Sequence, residues 1–503
     1  MDKDTQPIII GVAQHTWREQ DTTRTPVDAL QAVASSALSD SGSEQVKAAV
    51  DALVHVPFIL NQVPELKTAM PVNPGAALAA RLGLRSKQYT GDVGGNLPQQ
   101  LLGEFAGRVL RGEHQVVLLC GAEMLASFLG AVRAGAGFPD WNTGETDTAE
   151  SLTNTPLMTA ASERTHGLFE PVNAYPLFES ALRHARGLDG DAHRERLGQL
   201  ISSMSEVAAG NPHAWNRNVY SPEQVLDAQP GNRMISYPYT KLMNAILAVD
   251  QAAAVVLTTV GKARAMGVDK DRWIYLRGAA IAHDSWYLSE REFLHRSPAL
   301  QAAAECAIAQ SAIGLEEFTH FDLYSCFPSA VQVACDSIGL DLADPRGVTV
   351  TGGVTLFGGA GNNYSMHAIA EMVERLRATE RGAGLVTASG GYLTKHAVGA
   401  YSREAPATAW TPVDSEPLQT KVNQREGPQL AVVGEGSLQI DAHTVHYSRE
   451  GPRSGIVVGT LADGRRCVAV SSDASIMAQL IAHDCVGLQG AVSHKEGTNQ
   501  LQL

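Results

Sequence analysis

The chain has 503 residues, 44% of them hydrophobic and 18% charged, enough for roughly two to four globular units with buried cores. A formal net charge of −14 sets the chain against a phosphate backbone and so against nucleic-acid binding. Its six cysteines include no C-x-x-C pair or zinc pattern, and no apolar run approaches the ~20 residues of a membrane helix. With a polar start at residues 1–6 unlike a signal peptide, these features predict a cytoplasmic protein with no metal and no membrane span.

In chain order, residues 7–14 (PIIIGVAQ) read as a buried strand, and 25–41 as a helix with Val27, Leu30, Val33, Ala34, Ala37 and Leu38 on one face. A strand over 52–56 and a helix over 73–84 follow. A helix over 96–111 enters through Gly94-Gly95, carries Pro98 in its first turn and stops at Gly112 before a strand over 115–120. From 125 to 249 Asn, Pro, Gly and His are frequent, which predicts a cap or loop region laid over a site. Regular alternation returns with strands over 250–260 and 273–283, a helix over 298–313, a strand over 320–323 and a helix over 328–338. The run GGVTLFGGAGNN (352–363) then feeds a helix over 364–377 and a strand over 385–389. Glycine-rich turn, helix, glycine and apolar strand thus occur at about 94–121 and again at about 358–390, which predicts a duplicated α/β core.

Residues 404–428, rich in Pro, Thr, Glu and Gln, read as a linker. Beyond it come short strands over 430–433, 436–448, 454–461, 465–470 and 485–492, a tight turn at Asp463-Gly464 and one helix over 473–483. The expected organisation is a first half at 7–124, a cap at 125–249, a second half at 250–403, a linker at 404–428 and a small β-barrel-like domain at 429–503. From residue 418 onward seven Lys or Arg face eight Asp or Glu, and Tyr447 is the only aromatic residue. That is too little for an oligonucleotide-binding barrel, so the tail is expected to pack on the core or to recruit a protein partner.

Four stretches in this order resemble the thiolase superfamily, most closely the sterol-carrier-protein-linked thiolases and their thiolase-like relatives with an added C-terminal domain. GGNLPQQLLGEFAGRVLRGEHQVVLLCGAEML (94–125) is similar to the segment that carries the reactive cysteine. DLYSCFPSA (322–330) resembles the H-D-C-F region, GGVTLFGGAGNN the G-H-P region, and LVTASGGYL (385–393) the C-x-G-G region. The resemblance covers about residues 7–402. It implies a layered α-β-α-β-α core, acyl transfer on coenzyme A thioesters in lipid metabolism, and a CoA or carrier thioester as substrate or ligand with no resident cofactor.

The side chains for that chemistry are replaced. By the resemblance, the nucleophile falls on Gly95, the G-H-P histidine on Gly359, the second cysteine on Ala388 beside Ser389, and the H-D-C-F histidine on Tyr324. Glycine has no group whose pKa could be tuned, so cysteine-based thiolysis is not expected. Candidate replacements are His396, Tyr324, Cys326 and Asn362 for acid, base, nucleophile or oxyanion roles. Gly94, Gly95, Gly358, Gly359, Gly361, Asn363, Ser389 and Gly390 are candidates to bind the substrate through backbone or side chain. The same glycines also suit tight turns, the asparagines a helix cap, and His367 a buried structural role. Two readings stand: a diverged acyltransferase, or an acyl-CoA-binding protein or interaction subunit without catalysis.

Overall fold

A computed structural model describes residues 3–503. Ten strands of the core form one long bent sheet. In chain order the strands are β1 (Pro7–Thr16), β2 (Val50–His55), β3 (Lys87–Thr90), β4 (Val116–Met124), β5 (Glu150–Ser151), β6 (Met234–Ser236), β7 (Tyr239–Thr240), β8 (Asp250–Thr259), β9 (Ile274–His283), β10 (His320–Asp322), β11 (Ala383–Gly390) and β12 (Lys395–Ser402). All but β6 and β7 join in the order β10-β11-β12-β9-β1-β8-β4-β2-β3-β5.

The predicted duplication is written in that order. In the first half β2 runs parallel to β4, β4 antiparallel to β8, and β8 antiparallel to β1. In the second, β10 runs parallel to β11, β11 antiparallel to β12, and β12 antiparallel to β9. The halves meet where Ile8 and Ile9 pair with Tyr275 and Ile274. One packing detail repeats as well. A Cβ on Gly11, fifth in β1, would lie 2.1 Å from Ala37 O, and one on Gly278, fifth in β9, 2.0 Å from Ala307 O. In each half only glycine lets the outer helix, Pro26–Asp40 or Pro298–Ser311, approach the strand this closely.

Helices Leu97–Leu110 and Tyr364–Arg377 lie side by side between the halves and touch strands of both. They are the middle layer of the expected α-β-α-β-α core. Burial on several faces explains their apolar content: Leu101, Leu102, Phe105 and Ala106 in one, Ile369, Met372, Val373 and Leu376 in the other.

Three regions differ from expectation. Residues 125–249 are more helical than predicted, with Leu125–Arg133, Pro171–Ala185 and Gly190–Gly210. The helices bury polar residues such as Asn173, Glu179, His193 and Ser205, which blurs the apolar stripe that would have revealed them. The predicted linker is an ordered strap. Trp410 is buried, with its N–H on Gln6 Oε1 at 2.7 Å and its Nε1–H on Gln310 Oε1 at 2.6 Å, and helix Ser415–Asn423 follows, capped by Asp414. In the tail, the strand expected at 430–433 is a single bridge from Leu430 to Arg466.

The tail is a closed five-strand barrel: β13 (Gly436–Tyr447), β14 (Pro452–Leu461), β15 (Arg466–Ser471), β16 (Gln489–Lys495) and β17 (Thr498–Gln502). The ring runs β14-β15-β17-β16-β13 and closes because β13 also pairs with β14. It packs on the cap: Ser236 of the β6–β7 hairpin bridges to His446, and the His443 N–H donates to Ser180 Oγ at 2.9 Å. Among the described residues no helix is long and apolar enough to cross a membrane, and no His, Cys, Asp and Glu cluster could hold a metal.

Candidate functional site

The four motif stretches converge at the start of helix Leu97–Leu110. The Gly94 N–H donates to Asn362 Oδ1 at 2.8 Å, and Asn362 Nδ2 donates to Pro57 O at 2.9 Å. Asn363 Nδ2 donates to Gly121 O at 2.8 Å, and Ser365 Oγ–H to Gly95 O at 2.7 Å. Both asparagines therefore tie loops together, and neither caps helix Tyr364–Arg377 through its side chain. The glycine-rich loop is also committed. The Gly359 N–H bonds Ile246 O and the Gly361 N–H bonds Gly359 O, both at 2.7 Å, so these amides do not form the expected oxyanion cradle. Gly358 packs against the Gln251 side chain, and Gly361 against the buried carboxyl of Glu123. Burial pushes the Glu123 pKa up to about 8, against the pull of the Ile59 and Asn362 N–H groups.

The phenol of Tyr324 fills the space a side chain at 95 would need. A Cβ built on Gly95 would lie 1.9 Å from Tyr324 Oη and 2.7 Å from Ser389 O. The ring is fixed edge-on to Tyr364, with centroids 5.6 Å apart, and the Tyr324 N–H bonds Thr387 Oγ1 at 3.0 Å. Burial raises the phenol pKa far above its usual value, with Cys326 adding to the rise, so the phenol stays protonated. Cys326, a candidate nucleophile just before helix Pro328–Ile338, is buried, and desolvation pushes its thiol up to about 12. A helix terminus favours a thiolate only where the charge keeps some solvation.

His396 is bonded outside the turn's own hydrogen-bond network. It sits opposite Ser389 in the β11–β12 ladder, and its Nε2 is 3.1 Å from both Ser297 Oγ and Leu393 O and 3.5 Å from Asp284 Oδ2. Ser297 caps helix Pro298–Ser311, so this cluster anchors a helix. Burial opposes ionisation of Asp284, yet hydrogen bonding to His396 and the charge of Arg291 hold its carboxyl below the usual range. His367 is buried on Gln14 Oε1 at 3.1 Å, and burial lowers its pKa to about 3. Ser389 Oγ is buried without a partner, and Gly390 pairs with Lys395.

Lys395 is the residue that sequence reasoning passed over. It opens the fully buried strand β12 and is itself only 8% exposed. Its Nζ donates to Val93 O and, at 3.3 Å, to Thr155 Oγ1, and it lies 2.9 Å from where a Cβ on Gly94 would stand. Burial lowers the amine pKa to about 8 although Asp92 pulls the other way. The hairpin that projects it is clamped by the cap. Tyr175 Oη donates to Gly391 O at 3.0 Å and accepts from the Leu393 N–H at 3.3 Å, where Leu393 takes a left-handed φ of 55°. Lys395 faces a cavity of about 450 Å³ that Asn96, Gln100, Thr155, Trp286 and Glu416 also line. The strap helix Ser415–Asn423 forms one wall. A lysine before an otherwise apolar strand (KHAVGAY) was the available signal.

A crystal structure described as a monomeric SCP2-thiolase-like protein type 1 from Mycobacterium smegmatis is 32% identical, with a TM-score of 0.84, and each chain covers 100% of the other. The chain belongs to the SCP2-thiolase-like proteins of type 1. The additional C-terminal domain of thiolase-like protein type 1 matches residues 417–497, which takes in part of the strap helix and most of the barrel. Two more distant structures share the fold. One is described as the Ltp2–ChsH2(DUF35) aldolase (18% identity, TM-score 0.58, 79% of this chain and 98% of that one). The other is the acetyl-CoA acetyltransferase from Syntrophomonas wolfei (13% identity, TM-score 0.56, 79% and 99%). No curated protein matches the sequence.

In this SCP2-thiolase-like protein the thiolase fold is thus kept around a turn with no cysteine. The structure brings Gly94, Gly95, Asn362, Asn363, Tyr324, Ser389 and Gly390 together. It leaves His367 in a separate buried network and holds His396 on Ser297 and Leu393 O, where it also lines the cavity beside the turn.

Proposed function

We propose that this protein binds an acyl-CoA-type thioester in the cavity beside the Gly94-Gly95 turn and carries out no cysteine-based acyl transfer. The observation behind this reading is the Tyr324 phenol standing where a side chain at 95 would go, 1.9 Å from its first atom. A relocated cysteine nucleophile finds little support either, since burial raises the Cys326 and Cys120 thiols to about 12. For binding, the polar lining of Asn96, Gln100 and Thr155 and the amine of Lys395 supply hydrogen-bond donors to a carbonyl, and Trp286 and Leu97 supply apolar surface.

Calorimetry and thermal melting with CoA, acetyl-CoA and longer acyl-CoAs test the reading. A ligand at 100 times its Kd should stabilise the fold by about 2.7 kcal/mol. Binding should occur without release of free CoA and without an acyl-cysteine in the intact mass. No heat and no melting shift with any acyl-CoA would refute it.

A further inference from the structure

We propose that Lys395 is a nucleophilic amine that forms an imine with a ketone- or aldehyde-bearing acyl ligand in the cavity beside the Gly94-Gly95 turn. The inference rests on the proposed binding of acyl thioesters there and adds a covalent step and a ligand class to it.

The geometry points to the amine in four ways. Lys395 is nine-tenths buried yet lines a cavity of about 450 Å³, so the group is shielded from bulk water but faces open volume. Its hydrogen-bond partners, Val93 O and Thr155 Oγ1, are neutral oxygens. Asp92 acts on the amine through its charge and makes no hydrogen bond to it, and its Oδ2 accepts from the Thr155 N–H. A buried ammonium without a carboxylate partner is costly, and the neutral amine is the nucleophilic form. Finally, the amine lies beside Gly94, in the volume next to the missing nucleophile. The lowered amine pKa agrees with this placement.

The step balances without another reagent. The neutral amine adds to the carbonyl carbon, and the carbinolamine loses its hydroxyl as water. The C=O bond is exchanged for C=N, and both amine protons leave with the oxygen. The Thr155 hydroxyl, in contact with Nζ, is placed to pass a proton to the departing hydroxyl. A plain thioester cannot give an imine, because its carbonyl carries a thiolate leaving group, so the productive ligand carries a second, ketone or aldehyde, carbonyl.

The full-length protein is incubated with acetoacetyl-CoA and cyanoborohydride, which reduces the imine to a stable secondary amine, and intact mass and peptide mapping follow. One adduct at Lys395 is expected, with none from acetyl-CoA. Lys395→Arg should cut labelling at least tenfold while the ligand-free protein still melts cooperatively, so that the loss is not one of folding. Total labelling that is unchanged in Lys395→Arg, with the adducts mapped to exposed lysines such as Lys87, would overturn the proposal. So would binding of acetoacetyl-CoA without any adduct. If no acyl-CoA binds, the functional reading itself fails. Acetoacetate without CoA then probes the amine alone: an adduct at Lys395 supports it and none refutes it.

Discussion

At residue scale, two buried groups decide what the site can do. Gly95 is held to glycine by a ring and a backbone carbonyl, and the carbonyl of Ser389 cannot rotate away. Gly95→Cys should therefore cost roughly 1–3 kcal/mol by overpacking. Part of that cost should return when Tyr324→Ala opens the space, so the two changes are non-additive in melting experiments. A Gly95→Cys protein as stable as the parent would show that the ring moves freely. Glu123 gives a pH prediction. Its carboxyl is protonated in the fold up to about pH 8 but ionises near its ordinary value when unfolded. The folded state thus holds the extra proton between these limits, and stability falls as pH rises from about 4.5 to about 8. Glu123→Gln, which mimics the neutral acid, should flatten the fall in melting temperature over that window. An unchanged slope would show that other groups cause it. The sequence exposed the loss of cysteine at 95, because an absent side chain is plain to read. That Tyr324 fills the gap was not legible, since the contact joins residues 229 positions apart through the fold.

At the scale of elements, the cap is bonded to the core through buried polar groups that no apolar pattern announces. Glu179, fully buried on helix Pro171–Ala185, accepts from Tyr239 Oη of β7 and from Gln332 Nε2 of helix Pro328–Ile338 at 2.7 Å. His193 Nε2 of helix Gly190–Gly210 lies 2.9 Å from its Oε1. Removing the carboxylate leaves three polar partners unpaired, so Glu179→Ala should lower stability by roughly 3 kcal/mol or more. A loss below about 0.5 kcal/mol in denaturant titration would contradict the network's role. Tyr175→Phe, which frees Gly391 O and the Leu393 N–H, should cost about 1 kcal/mol. It should also speed amide exchange in the hairpin before Lys395; protection equal to the parent's would mean the clamp is not needed there. Helices such as Pro26–Asp40 were readable because apolar spacing, Thr25, Pro26 and Asp28 all agree. The strap escaped because its order comes from long-range bonds of Trp410 to Gln6 and Gln310.

At the scale of the whole molecule, the duplicated core, the cap and the barrel form one continuous structure around an altered thiolase turn. The duplication was legible from repeated glycine–helix–strand order, and the pair Gly11 and Gly278 carries the same repeat in PIIIGVAQHT and IYLRGAAIAH. The barrel was legible as short strands with a turn at Asp463-Gly464, one of them overlapping β16; its last strand β17 was hidden because 498–502 are mostly polar. Asn499 ties it inward, its N–H bonding His166 Nε2 of the cap at 2.7 Å, a contact across 333 positions that no local pattern encodes. The proposed function is that of a thiolase fold that holds a thioester without a cysteine acyl-enzyme. The most direct test is calorimetric titration with acetyl-CoA, with intact mass recorded on the same sample. Saturable binding with an unmodified protein mass is expected. A protein mass raised by one acetyl group, with the group mapped to a cysteine, would contradict it.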